Sequence, residues 1–171
     1  MDTDHGFTLT ELLVAVGIGA AVIALAVPAY LSYLPRIRLK AACREVISCL
    51  QYARVQAIRD SSAWHVTFTP STGEFCVLDD SGNVCRTVTL ERFDGISFGS
   101  NNPDAIDSNH TPPQTDGVSF NGNKAKFNGN GTSASGTVYL RNGKGDTMAI
   151  GAASAAGRIR AWYDFGAGWQ S

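Results

Sequence analysis

Histidine and cysteine are scarce in this chain of 171 residues: three histidines, His5, His65 and His110, and four cysteines, Cys43, Cys49, Cys76 and Cys85. No two cysteines form a C-x-x-C pair, which argues against a zinc site or a thioredoxin-like motif. Charge is also sparse, at 17% of residues, and nearly balanced, 14 Lys and Arg against 15 Asp and Glu. That excludes a strongly cationic, histone-like protein. There is no Walker A loop, because Gly143-Lys144 is followed by Gly145, and neither H-E-x-x-H nor a G-x-S-x-G elbow occurs. The glycines of Gly129-Asn130-Gly131 and Gly143-Lys144-Gly145 read as turn residues rather than phosphate cradles. Asp79-Asp80 suits either a cation or a hairpin turn, and His65 reads as a strand residue. We therefore expect no catalytic residue, no metal ligand and no cofactor, and not an enzyme.

What the chain has is one long charge-free run, from Leu12 to Leu34. About 20 apolar residues cross a bilayer, so this run is long enough. With 44% apolar residues overall, the rest can still build a core. The organisation expected is a membrane helix followed by a single-core domain. Beyond a membrane helix, an even cysteine count suits an oxidising compartment. Four buried thiols in a reducing one is the alternative.

The charges are segregated. Residues 36–59 carry Arg36, Arg38, Lys40, Arg44, Arg54 and Arg59 against Glu45 alone. Residues 60–116 hold nine acids against Arg86 and Arg92, and residues 117–171 hold six bases against Asp146 and Asp164. An acidic middle between two basic flanks fits either a mixed solvated surface or a basic face for an anionic partner.

Met1 to Gly6 is a short polar leader without the apolar region and cleavage site of an ordinary secretory signal. Glu11 then stands as an acid at the edge of the apolar run, where a charge is costly unless partnered. Cutting after Gly6 would create a partner, since the free amine of Phe7 lies at i and Glu11 at i+4, one helical turn apart. Amine and carboxylate could neutralise each other or pair with a neighbouring copy.

Gly6-Phe7-Thr8-Leu9-Thr10-Glu11 before an apolar helix resembles the class III signal of type IV pilins and type II secretion pseudopilins. The resemblance implies cleavage after Gly6 by a prepilin peptidase, N-methylation of Phe7, and docking in a filament guided by Glu11. Pro28 falls where family members often carry a helix-bending proline. One departure is the leader, which is acidic through Asp2 and Asp4 where family leaders carry Lys or Arg. By the positive-inside preference alone, the basic stretch from Arg36 would stay cytoplasmic.

Past the span the helix is expected to continue to about Arg59. Leu39, Cys43, Val46, Leu50, Ala53 and Ala57 recur at spacings of three and four, an apolar stripe for packing. Pro35 can bend the helix or end its membrane half. From Ala63 the period changes to two. Trp64–Thr69 alternates, and Phe75–Leu78 and Val84–Val88 flank the turn Asp79-Asp80-Ser81-Gly82-Asn83 as a hairpin. Cys76 and Cys85 could face each other across it. Cys43 and Cys49 are too far apart along a helix to bridge each other. If two disulfides form, helix-to-hairpin pairings are the better choice, and if only Cys76–Cys85 forms, the helix thiols stay free. Residues 99–117 read as a long exposed loop. Strands resume at 118–120, 136–140, 147–150 and 158–162. One helix followed by many strands is an α+β order.

Leu50-Gln51-Tyr52-Ala53-Arg54-Val55-Gln56-Ala57-Ile58-Arg59 resembles the end of the spine helix in H-type pseudopilins and FimT-type minor pilins, the GspH/FimT family. Gly136–Leu140 followed by Gly157-Arg158-Ile159-Arg160 resembles the end of their heads. The fold implied is α+β and type IV pilin-like: a leader at 1–6, a transmembrane and assembly helix at 7–34, a spine half at 35–60, and a β-rich head at 61–171. The function implied is a minor pilin or pseudopilin, a structural subunit of a type II secretion pseudopilus or type IV pilus. Its partners would be other pilins or pseudopilins, the prepilin peptidase and the bacterial inner membrane, with the head periplasmic.

Arg158 and Arg160 are two apart, so on a strand they project from one face. Paired guanidiniums can grip successive phosphates. In FimT-type minor pilins a Gly-Arg-x-Arg motif here is linked to DNA binding in natural transformation. The alternative function is therefore a DNA-binding minor pilin, with Lys124, Lys126, Arg141 and Lys144 as candidates to extend the patch and Trp162 and Trp169 as candidates to stack on bases. A salt bridge or a subunit contact is the plainer role for the arginines. A third reading is an unrelated anchored β-domain, uncut after Gly6.

Overall fold

The computed structural model describes residues 8–106, 110, 112–153 and 157–171. The chain divides into two compact units, Met1–Leu34 and Pro35–Ser171. A single helix, α1 (Leu9–Asp60), supplies residues to both.

In the first unit the helix from Leu12 on is apolar on every side and exposed except at Gly19 and Leu34, which are half-buried, with Leu12, Val16, Ile23 and Leu25 each at least 60% accessible. Its best window has a mean hydropathy of 2.5 and is long and apolar enough to cross a membrane. Helical structure runs through Pro28 and Pro35, so neither proline ends it. A helix uniformly apolar around its circumference has no preferred face, as expected where lipid or other helices are the surroundings.

The second unit builds its core on the other half of α1. The expected stripe, Leu39, Cys43, Val46, Leu50, Ala53 and Ala57, is buried, together with Ala42 and Cys49. Small residues at 42, 53 and 57 let strands approach the helix closely. The longer Leu39, Val46 and Leu50 fill the space between, at roughly 1.5–3 kcal/mol each for full burial.

Two antiparallel four-stranded sheets cover that stripe. The first runs β3-β2-β1-β5 and the second β4-β6-β7-β8. Their strands are β1 (Trp64–Thr69), β2 (Glu74–Leu78), β3 (Val84–Thr89), β4 (Ile96–Phe98), β5 (Lys124–Phe127), β6 (Gly136–Asn142), β7 (Thr147–Ala153) and β8 (Arg158–Asp164). Val66, Phe68, Phe75 and Val77 from the first sheet and Val138, Leu140 and Ile150 from the second join the helix in one apolar cluster. One long helix on an antiparallel β head is the α+β architecture expected.

The second sheet is covered on both faces. Tyr139 lies opposite Val138 and Leu140 yet is fully buried. Trp169 from the C-terminal tail meets its ring edge-on at 5.9 Å and donates its indole N–H to the Asp104 carbonyl at 3.1 Å. Asn101 is likewise tied down, its amide donating to the carbonyls of Asn142 and Asp146. The segment 99–117, expected as an exposed loop, is therefore anchored at Asn101 and Asp104, while Asp107, Ser108, Asn109 and Thr111 lie outside the described residues. Val118–Phe120, expected as a strand, makes only an isolated bridge from Val118 to Val138.

Candidate functional site

At the N-terminus, Gly6 and Phe7, the expected cleavage and methylation positions, lie outside the described residues. Thr8 and Glu11 do not. The Glu11 backbone N–H donates to the Thr8 hydroxyl at 3.2 Å, and Glu11 Oε2 accepts from the Thr8 backbone N–H at 2.9 Å and its hydroxyl at 2.8 Å. This is a reciprocal capping box, which satisfies donors that the first helical turn leaves free. The acid expected to need a partner has one within its own chain, Thr8.

Arg158 and Arg160 lie on β8, an edge strand of the second sheet. Ile159 between them packs against the core cluster, so the two arginines point away from it. Register sets Ala153 opposite Arg158, Gly151 opposite Arg160 and Ala149 opposite Trp162. Arg158, Arg160 and Trp162 thus form a row on one face of β8, beside a strand that presents only small residues to it. The Trp162 indole lies across Gly151, where an added Cβ would be 2.9 Å from its ring. His110 contacts Trp162 edge-on at 4.9 Å. Among the described residues neither arginine makes an ion pair or side-chain hydrogen bond.

The other expected members of that patch are dispersed. Lys124 and Lys126 are on β5 in the first sheet, facing out beside Thr67 and His65. Arg141 Nε points to Ser97 Oγ at 3.4 Å. Lys144 sits in the β6–β7 turn, its N–H donating to Asn142 Oδ1. Trp169 is used in packing, as above. Sequence spacing joined these bases only by charge, and the sheet order separates them.

The cysteines do not take the expected arrangement, and all four are free thiols. Cys76 is opposite Thr87, not Cys85, and the register shift at Val77/Leu78 leaves Cys85 without a partner in the ladder, between Val84 opposite Leu78 and Arg86 opposite Val77. The Cys76 thiol lies 3.4 Å from the Thr87 hydroxyl. Helix-to-hairpin bridges fail on the pleat. Phe75 and Val77 point into the core that buries Cys43 and Cys49, so Cys76 between them points outward. Burial pushes the Cys43 thiol well above its ordinary value; for Cys49 burial, opposed by the Arg86 charge, moves it up to about 11. Neither is a reactive thiolate near neutral pH.

Asp79 spends its carboxylate on the β2–β3 turn, accepting from the Asn83 side-chain amide and backbone N–H, both at 2.8 Å. The bond from the side chain, then that from the backbone, lowers its proton affinity. Among the described residues no three His, Cys, Asp or Glu gather to hold a metal ion.

One cluster escaped the reading of the sequence. Arg36 donates to Asp146 at 2.8 and 3.4 Å, Asn142 donates to the same carboxylate at 2.8 Å, and the Arg36 guanidinium lies 4.3 Å above the Phe165 ring. Burial raises the proton affinity of Asp146, but the hydrogen bonds from Arg36 and Asn142 and the charges of Arg36 and Lys144 together lower it below the ordinary value. The network ties the start of the spine half of α1 to the β6–β7 turn and the C-terminal segment. Its one signal was Asp146, one of only two acids among the six bases of residues 117–171.

The family model for the type II transport protein GspH matches residues 42–157, and that for the prokaryotic N-terminal methylation motif matches residues 1–27. Among solved structures, the minor pseudopilin EpsH from the type 2 secretion system of Vibrio cholerae is similar at a TM-score of 0.51 and 14% identity, over 72% of this chain and 95% of that one. A second crystal structure of that protein gives 0.50 and 12%, over 72% and 92%. At such identity the likeness concerns the fold. No curated protein matches the chain.

Proposed function

Because this chain belongs to the GspH family of type II transport proteins, we propose that it is a minor pseudopilin, cut after Gly6, methylated on Phe7 and built into a secretion pseudopilus through its N-terminal helix. The observation that carries this is the joining, in one chain, of the methylation motif over residues 1–27 to the GspH domain over residues 42–157. The helix is charge-free from Leu12 to Leu34, and among the described residues none between Leu9 and Leu34 is buried. Inner-membrane lipid before assembly and neighbouring helices after it would supply the missing surroundings. Glu11, held by Thr8 at the helix start, is the polar group available to direct docking, and the head would stand in the periplasm. The work is structural, with other pseudopilins as partners and the prepilin peptidase as processing enzyme.

The test is co-expression with an active prepilin peptidase and intact-mass measurement. The mass should fall by residues 1–6 and rise by one methyl group. Glu11→Ala should leave cleavage intact and abolish incorporation into filaments. An uncut chain beside a control pilin that is cut would refute the reading.

The row of Arg158, Arg160 and Trp162 favours a second reading, in which the subunit also binds DNA. Two guanidiniums without an ion pair among the described residues, beside an indole, offer phosphate contact and base stacking together. In this case binding by the full chain in detergent should weaken with salt and fall sharply in Arg158→Ala, Arg160→Ala. Salt-insensitive binding, or none at low salt, would leave those arginines as protein contacts.

A further inference from the structure

On the outer face of the first sheet, β1 and β5 place four polar side chains in a block. Register sets His65 opposite Lys126 and Thr67 opposite Lys124. The intervening Val66, Ala125 and Phe127 are buried, so all four side chains share the other face. Lys124 and Lys126, alternate residues of one strand on one face, are like charges in proximity, which repel unless acids are interleaved with them. Here the compensation is missing: among the described residues neither lysine ammonium makes an ion pair or hydrogen bond. The ring of His65 is partly buried between them, and its Nδ1 is inaccessible and without a hydrogen-bond partner among the described residues. The nearest neighbours on the other side, Leu78 opposite His65 and Cys76 opposite Thr67, carry no charge.

We propose that His65, Thr67, Lys124 and Lys126 form an oxyanion site for a phosphate group, separate from the arginine row of the second sheet. Lys124 and Lys126 supply two ammonium groups from alternate residues of one strand, Thr67 a hydroxyl donor, and His65 a ring N–H whose bond becomes charge-assisted once the ring is protonated. The platform is a hydrogen-bonded sheet rather than a loop, so the backbone that carries the donors needs no ordering at binding and only the side chains lose rotamer freedom. The cluster carries its own pH dependence. Burial, then the charges of Lys126 and Lys124, lowers the proton affinity of His65, with Asp80 acting in the opposite sense. A bound phosphate would offset both lysines and favour the protonated ring, so affinity should rise as pH falls.

The experiment uses the full chain in uncharged detergent with isotope-labelled histidine rings, in which His65 is read beside only His5 and His110. Inorganic phosphate is titrated at constant ionic strength, against chloride. The expected result is a saturable shift of the His65 signal and a rise in its titration midpoint, with His110 unmoved. Lys124→Ala, Lys126→Ala should raise the midpoint in chloride and weaken phosphate binding at least about tenfold. Thr67→Val should weaken it less. Equal midpoints in phosphate and chloride, or an unaltered phosphate response in the double variant, would overturn the site. Competition with a single-stranded oligonucleotide and with anionic phospholipid in mixed micelles separates the sources of the phosphate group. Displacement at lower concentration by one of them names it, and displacement by neither assigns free phosphate.

Discussion

A methyl group added at Gly157 would collide with the Gly131 carbonyl oxygen and stand 2.9 Å from Arg54 Nε, at a backbone φ of +56°. Both the space and the conformation call for glycine there. The first residue of Gly157-Arg158-Ile159-Arg160 is therefore fixed by packing against the spine helix, and the arginines inherit their position from it. Gly157→Ala should cost about 1–3 kcal/mol in denaturant unfolding, and an unchanged midpoint would show that the turn relaxes freely. Asp146 makes the complementary case for a charge. Its folded-state proton affinity is below the ordinary value, so it stabilises the fold above that ordinary value and the gain is lost as pH falls through the folded one. Asp146→Asn should cost about 1–2 kcal/mol near pH 7, and variant and parent should converge in acid. A constant difference across the range would assign the effect to shape rather than ionisation.

The elements differ in how openly the chain announced them. The spine stripe was legible because six apolar residues at spacings of three and four admit little but a buried helical face, and all six are buried. β1 and the β2–β3 hairpin were legible from alternation and from the Asp79–Asn83 turn. Two strands were not. β4 has three residues and β5 four, too few for a period of two to stand out, and β5 follows the turn-rich Asn121-Gly122-Asn123. Missing β5 is also why Lys124 and Lys126 could be joined to the arginines by charge alone, with no strand to place them on the first sheet. Composition does not fix the register of a hairpin, and the actual one sets Cys76 opposite Thr87 and leaves Cys85 at the bulge. The spine should respond asymmetrically to truncation. Leu50→Ala removes a fully buried side chain and should cost about 2–5 kcal/mol, whereas Val55→Ala, at 62% accessible, should stay within about 0.5 kcal/mol. A comparable loss at Val55 would mean that the outer side of α1 is covered within the isolated subunit.

At the scale of the whole molecule two physical expectations pull apart. Family membership and the N-terminal motif favour a periplasmic head, while the acidic leader with Asp2 and Asp4, followed beyond the span by Arg36, Arg38 and Lys40, favours by charge alone the reverse orientation. Loops and domains of this size translocate with less regard for charge than short loops do, which tips the balance toward export. The thiols provide an internal reporter. Cys85 is exposed, Cys76 is partly so, and Cys43 and Cys49 are buried. A membrane-impermeant maleimide applied to intact spheroplasts after mild reduction should therefore label the chain chiefly at Cys85, and Cys85→Ser should remove most of the label. Buried thiols with raised proton affinity should react only after denaturation, since the thiolate is the reactive form. Labelling that appears only after the membrane is opened would place the head in the cytoplasm. The charge pattern around the span would then have decided the orientation, and a secretion filament built from this subunit would be excluded with it.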